Sequence, residues 1–118
     1  MNNLPLVTVM VPCFNQSKYL TETVNSILNQ SYENIEIVIS DDASCDDTYE
    51  LSKKWENNFQ VRYFRNKVNI GRVRNYKKTL IERAKGKYVL NLDGDDMLLC
   101  DEYIKNSVSF MEENNLKL

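Results

Sequence analysis

Leu6-Val7-Thr8-Val9-Met10-Val11 is a nearly continuous run of β-branched and apolar residues, closed by Pro12. Such a run suits a central parallel strand buried on both faces, and Pro12 reads as its end. Ile35-Glu36-Ile37-Val38-Ile39-Ser40 has the same character and predicts a second buried strand. Val61-Arg62-Tyr63-Phe64 is shorter and more polar, which suits a place nearer the sheet edge. Tyr88-Val89-Leu90-Asn91-Leu92 predicts a fourth strand.

Helical spacing fills the intervals. Over 18–30, Leu20, Val24, Ile27 and Leu28 share a face, with Ser17 placed to act as N-cap. Asp46 or Asp47 can cap a helix reaching about residue 57, with Leu51 and Trp55 turned inward. A helix over 71–84 carries Val73, Leu80, Ile81 and Ala84 on one stripe, and Gly86 follows as a stop. A last helix over 101–114 aligns Ile104, Val108 and Met111. This βαβαβαβα order predicts an α/β fold with a Rossmann-like parallel sheet, right-handed crossovers and helices on both faces; the expected strand order is 3-2-1-4, which would put the switch point between strands one and four.

Composition bounds the function. The 118 residues fit one domain, and 42% hydrophobic content supplies a core. A net charge of −2 offers no basic field for nucleic acid. No apolar stretch is long enough to span a bilayer, and the N-terminus lacks the pattern of a signal peptide. The three cysteines, Cys13, Cys45 and Cys100, have no CxxC spacing; reduced thiols in a cytoplasm are the expectation. The absence of histidine excludes Ser-His and Cys-His catalysis within this chain. No GxxxxGK[ST] occurs, so a P-loop is excluded, and nothing approaches GxGxxG.

The polar clusters all follow strands, at the carboxyl ends where open α/β sheets bind ligands. Pro12-Cys13-Phe14-Asn15 follows the first, Asp41-Asp42-Ala43-Ser44 the second, 66–71 the third and Asp93-Gly94-Asp95-Asp96 the fourth. With order 3-2-1-4, Asn15, Asp42 and Asp95 are predicted to face one crevice. Three carboxylates around one glycine repel unless a cation sits among them, and Mg²⁺ or Mn²⁺ prefers such oxygens. An ordinary polar turn is the competing reading. Asp42 at a strand end can accept hydrogen bonds from a base or ribose, although a loop and helix cap would also explain this segment. Asn69-Ile70-Gly71 opens a helix whose first turn holds Arg72 and Arg74; an anionic ligand would explain arginines there, and solvated surface charges are the alternative.

Taken in order, Val9-Met10-Val11-Pro12-Cys13-Phe14-Asn15, Ser26-Ile27-Leu28-Asn29-Gln30-Ser31-Tyr32, Glu36-Ile37-Val38-Ile39-Ser40-Asp41-Asp42-Ala43-Ser44, Asn69-Ile70-Gly71 with Arg74-Asn75, Gly86-Lys87-Tyr88-Val89 and Leu92-Asp93-Gly94-Asp95-Asp96 resemble the start of a family 2 glycosyltransferase of the GT-A fold. The resemblance covers residues 7–100. It implies the N-terminal, donor-binding half of that fold and a nucleotide-sugar site. Pro12 and Phe14 would line the base pocket, and Asp42 would hydrogen-bond the base. Asp93-Gly94-Asp95 matches the DXD motif, in which Asp95 would hold Mn²⁺ or Mg²⁺ and Asp93 would face the donor ribose or sugar and join the metal. Asn15, Asn69, Gly71, Arg74 and Gly94 complete the implied nucleotide-sugar-binding set.

Further expectations follow from the same resemblance. The donor is a nucleoside diphosphate sugar, a UDP-sugar first. Transfer to an acceptor hydroxyl, on a carbohydrate or lipid-linked acceptor, inverts the anomeric carbon and serves polysaccharide or glycan synthesis. The chain reaches only 22 residues past Asp96, so residues 1–118 read as one donor-binding domain cut before the acceptor half. The catalytic base is then expected beyond Leu118, and the chain alone is expected to be inactive. Glu112 and Glu113 are expected on a solvated helix face. The expected location is cytoplasmic, at the inner face of the membrane in a parent protein. An uncovered fourth strand predicts a homodimer. A non-catalytic nucleotide-sugar-binding or assembly module is the alternative. A receiver-like domain fits less well, because strand one ends in Pro-Cys-Phe-Asn rather than an acidic pair.

Overall fold

The computed structural model describes residues 4–115. Its elements are β1 (Val7–Cys13), α1 (Ser17–Leu28), β2 (Ile35–Asp41), α2 (Thr48–Ser52), β3 (Val61–Arg65), α3 (Arg72–Lys78), β4 (Tyr88–Asn91) and α4 (Tyr103–Glu113). The four strands are parallel, in the order β3-β2-β1-β4. Val7 aligns with Ile35 on one side and Tyr88 on the other.

Pro12 does not end β1. The strand runs on to Cys13, with Pro12 opposite Ser40. The Pro12 carbonyl accepts from Gly94 N on the β4 side. A residue's nitrogen and carbonyl point the same way in a strand, so the missing N–H also faces that side. Pairing with β4 has already stopped at Asn91, and the ladder to β2 loses nothing.

Alternation along the strands builds two different faces. Val9, Val11, Ile37 and Ile39, all fully buried, meet Leu20, Val24 and Ile27 of α1. Trp55 and, from α4, Ile104 and Val108 extend this apolar layer. The opposite face carries Thr8, Glu36 and Ser40 around Met10 and Val38, and every one of these is buried. α3 covers it, continued by a π-helical turn at Thr79–Arg83 in which Ala84 N donates to Thr79 O.

That covering helix sits the other way round from the sequence expectation. Asn75, Thr79 and Arg83 are buried, whereas Val73 and Ile81 are 69% and 77% exposed. The sheet explains the inversion. Buried polar groups on its second face need partners: Asn75, Thr79 and Arg83 serve Ser40, which the apolar stripe could not, while Thr8 and Glu36 are served by each other, Arg62, Lys85 N and Gly86 N.

Two helix starts also differ. Ser17 is the first helical residue rather than the cap; its N–H is satisfied by Asp46 Oδ2, at 3.1 Å, from the β2–α2 loop. α2 is a short helix followed by a 3₁₀ turn at Lys53–Trp55, not one helix to residue 57. Glu112 is not a free solvated group: it accepts from Lys87 Nζ at 2.7 Å and from the Tyr88 hydroxyl, tying α4 to β4.

Candidate functional site

The β2–α2 loop is fixed first. Asp41, with no exposure, accepts from Ser44 N and Oγ, the Tyr63 hydroxyl and Arg65 Nη1. Burial, together with the Asp41 carboxylate, pushes the Tyr63 phenol well above its ordinary pKa, so it stays a donor. Asn15, in the left-handed region at φ 54, accepts from Cys45 N at 2.7 Å and Asp46 N at 3.3 Å through Oδ1. The β1–α1 and β2–α2 loops are thus locked together.

Asp42 follows, 3% exposed at the carboxyl end of β2. Its Oδ1 accepts from Asn66 Nδ2 and Ile70 N, and its Oδ2 from Gly71 N, each at 2.9 Å. Asn69 Nδ2 donates to the Asp42 carbonyl. Gly71 sits at φ 91, a conformation that costs a residue with a Cβ about 1 kcal/mol or more. This is how residues 69–71 wrap the carboxylate.

The acidic turn after β4 is clamped against β1 and α1. Gly94 N donates to Pro12 O at 3.0 Å, and the Thr23 hydroxyl lies 3.0 Å from Gly94 O and 2.5 Å from Asp96 O. A Cβ on Gly94 would stand 2.7 Å from Cys13 Cβ and 2.8 Å from Gln16 Oε1. Close approach, rather than an unusual φ, is the reason for glycine here. One oxygen from each of Asp93, Asp95 and Asp96 falls within 4.8 Å of the others. All-carboxylate donors of this kind suit a hard divalent cation. Asn91 Nδ2 lies 3.3 Å from Asp93 Oδ1, and Arg72 Nη2 lies 3.4 Å from Asp93 Oδ2.

These groups converge on a cleft of about 620 Å³ at the strand ends, under α3. Pro12, Phe14, Asp42, Asp93 and Asp95 line it, as the sequence suggests. Arg72, one of the two arginines that the sequence sets beside an anionic ligand, lines it too, and Gln16, Val73, Tyr76 and Asn91 line it outside the set the sequence suggests. Asn91 was visible as the one polar break in an apolar strand; Val73 and Tyr76 were hidden because α3 was oriented the other way.

Five expected residues lie outside the lining, among them Gly94, whose close approach to Cys13 and Gln16 shapes the acidic turn. Asn15 is turned to the β2–α2 loop, so it does not face the crevice with Asp42 and Asp95. Asn69 and Gly71 hold Asp42, and Arg74 is exposed. Cys13 lines the cleft, but burial and neighbouring Asp41 push its thiol far above the ordinary range, so it is unreactive there. A separate cavity of about 610 Å³ between β4 and α4 is walled by Tyr88, Leu90, Ile104 and Met111 and brings no carboxylates together.

Residues 8–118 match the model of glycosyl transferase family 2. The chain belongs to that family. An uncharacterized glycosyltransferase of Rickettsia felis is 40% identical over 109 residues, which are 92% of this chain and 18% of that protein. The crystal structure of Staphylococcus aureus TarS 1-349 superposes with a TM-score of 0.83 at 29% identity, covering 93% of this chain and 33% of that one. The mannosyltransferase PcManGT from Pyrobaculum calidifontis, solved with GDP-Man and Mn²⁺, gives 0.82 at 25% identity over 91% of this chain and 32% of its own. This family 2 glycosyltransferase chain therefore has the GT-A fold and spans well under half the length of these relatives. TarS has also been solved with UDP and with UDP-GlcNAc.

Proposed function

We propose that this chain binds the nucleoside diphosphate sugar donor of an inverting glycosyl transfer, through the cleft under α3 and a divalent cation at Asp93, Asp95 and Asp96. The observation that carries the proposal is the convergence of a buried carboxylate, Asp42, and an acidic turn, through Asp93 and Asp95, on one cleft.

Each end has a chemical match. An ionised carboxylate only accepts hydrogen bonds. Three N–H groups leave Asp42 with acceptor capacity on Oδ2, which suits a base with an imino N–H: N3–H of uracil or N1–H of guanine. Both bases occur among the ligands of the two solved neighbours. Phe14, 44% exposed at the cleft rim, offers a ring face for the base. Arg72 places a guanidinium in the lining, 3.4 Å from Asp93 Oδ2, where it can meet a diphosphate held at the acidic turn. Arg72 replaces Arg74 in this role. When bound, the cation would stabilise the charge growing on the departing diphosphate. The chain's own residues hold the base, orient the diphosphate and keep Asp93 in place through Asn91.

Calorimetry with UDP, with Mn²⁺ and then with EDTA, tests the reading. Binding should require the cation, because Asp93, Asp95 and Asp96 otherwise repel a diphosphate. Asp95→Asn should weaken metal-dependent binding by at least about tenfold, the scale on which even the supporting residues of metal sites act. Asp42→Ala should weaken binding while leaving its dependence on Mn²⁺ intact. Equal binding in EDTA would end the proposal.

A further inference from the structure

Arg83 is 8% exposed on the polar face of the sheet, yet it makes no ion pair among the described residues. Its Nη1 donates to Ser40 Oγ at 3.0 Å and its Nη2 to Asn66 Oδ1 at 2.8 Å, and it packs on the Phe64 ring at 4.8 Å. A guanidinium has donors only. It therefore dictates which end of the Asn66 amide it meets: the oxygen. The other end, Nδ2, must then face away, and there it donates to Asp42 Oδ1 at 2.9 Å and Asn75 Oδ1 at 3.0 Å. Asn75 is set in turn, with Nδ2 on the Ser40 carbonyl. Were Asn66 flipped, its oxygen would stand against the Asp42 carboxylate, acceptor against acceptor, with both side chains buried.

We propose that Arg83 is a positioning residue for base selection: through Asn66 it holds the Asp42 carboxylate in one orientation, with Oδ2 left to the cleft, and so tunes the cleft to bases bearing an imino N–H. The relay rests on the donor-site reading above. It places the origin of base selectivity outside the cleft, since neither Arg83 nor Asn66 lines it. Cytosine N3 and adenine N1 present lone pairs to the same oxygen and are rejected. A site built to hydrogen-bond a donor discriminates strongly against an analogue without it.

The test is the UDP:CDP affinity ratio, measured by calorimetry with Mn²⁺ on the full chain. Wild type should favour UDP by at least about tenfold, since an unmatched buried polar group has a cost on that scale. Arg83→Met should bring the ratio down by about tenfold, with Mn²⁺ dependence unchanged. Arg83→Lys, still a donor without an acceptor, should retain the preference. A merely structural role would lower affinity for both nucleotides alike, and circular dichroism checks that the variants fold. If Arg83→Met does not fold, Asn66→Asp keeps the Arg83 contact but turns an acceptor toward Asp42; it should lower the ratio too. A folded variant of either kind that keeps the wild-type ratio would overturn the relay and leave the donor site standing. Equal wild-type binding of UDP and CDP would remove the Asp42 base contact itself.

Discussion

On one face of the sheet Val9, Val11, Ile37 and Ile39 meet Leu20, Val24 and Ile27; on the other, Ser40 meets Asn75, Thr79 and Arg83, and Thr8 and Glu36 meet each other, Arg62 and Lys85 N. Both faces are buried, but they differ in kind. Hydrocarbon contact is non-directional and tolerates small changes of orientation. A hydrogen-bonded layer admits only those orientations in which every donor meets an acceptor. Among the described residues, no buried side-chain polar atom lacks a partner. The candidate site grows from the second kind of face, which fixes Asp42 in direction as well as in place. One face stabilises the domain, while the other holds the groups on which the proposed donor selectivity rests.

Substitutions can break that division. The largest effect should come from the apolar face. Ile37→Ala should cost about 2–5 kcal/mol in chemical denaturation, as for other fully buried residues, and leave the UDP:CDP ratio untouched. A changed ratio would mean that the two faces are not separable.

Glu36→Gln should cost less, on the order of 2 kcal/mol at neutral pH. Burial alone would raise the Glu36 pKa, but hydrogen bonds from Thr8, Lys85 N and Arg62, with the Arg62 charge, hold it below the ordinary carboxylate value. Its folded pKa is thus depressed. Its contribution is fully present above the ordinary value of 4.5 and is lost as the pH falls through the folded one. The stability gap between wild type and Glu36→Gln should therefore narrow on acidification below about pH 4.5. A gap constant from pH 7 to pH 3 would show that this carboxylate is not held in its charged form.

Thr79→Val is the smallest and the sharpest. It keeps the shape but removes a hydroxyl lying 2.7 Å from Ser40 Oγ and 2.7 Å from Asn75 O. A loss of about 1 kcal/mol is expected. Because Ser40 also receives Arg83, a double-mutant cycle of Thr79→Val with Arg83→Lys should show coupling. Strict additivity would mean that the layer is a set of separate pairs.

Strand count and the acidic turn were legible because each rests on local pattern. Apolar runs mark the strands, and Asp93-Gly94-Asp95-Asp96 announces itself by charge. The direction of α3 was not legible from that helix alone. Val73, Leu80, Ile81 and Ala84 make a convincing inward stripe, yet the structure turns Asn75, Thr79 and Arg83 inward. The missing information lay in the strands. Thr8, Glu36 and Ser40 occupy one face of β1 and β2 by simple alternation, and that face required a polar cover. The choice of Arg72 over Arg74 depends on the same rotation. Asn15 was expected in the crevice because of its position after β1; its left-handed backbone, which sends the side chain to Cys45 and Asp46, has no signature in the sequence.

The π turn at Thr79–Arg83 sets a limit on how this chain can change length. It holds one residue more than an α-helical path would need. Five residues in this wide turn sweep about the same angle as four in an α-helix. Deleting Ile81 would therefore relax the turn to ordinary α-helix and leave Arg83 and the strap leading into β4 nearly in phase. A deletion within Arg72–Lys78 has no such slack and would rotate one side of the helix against the other by about 100°.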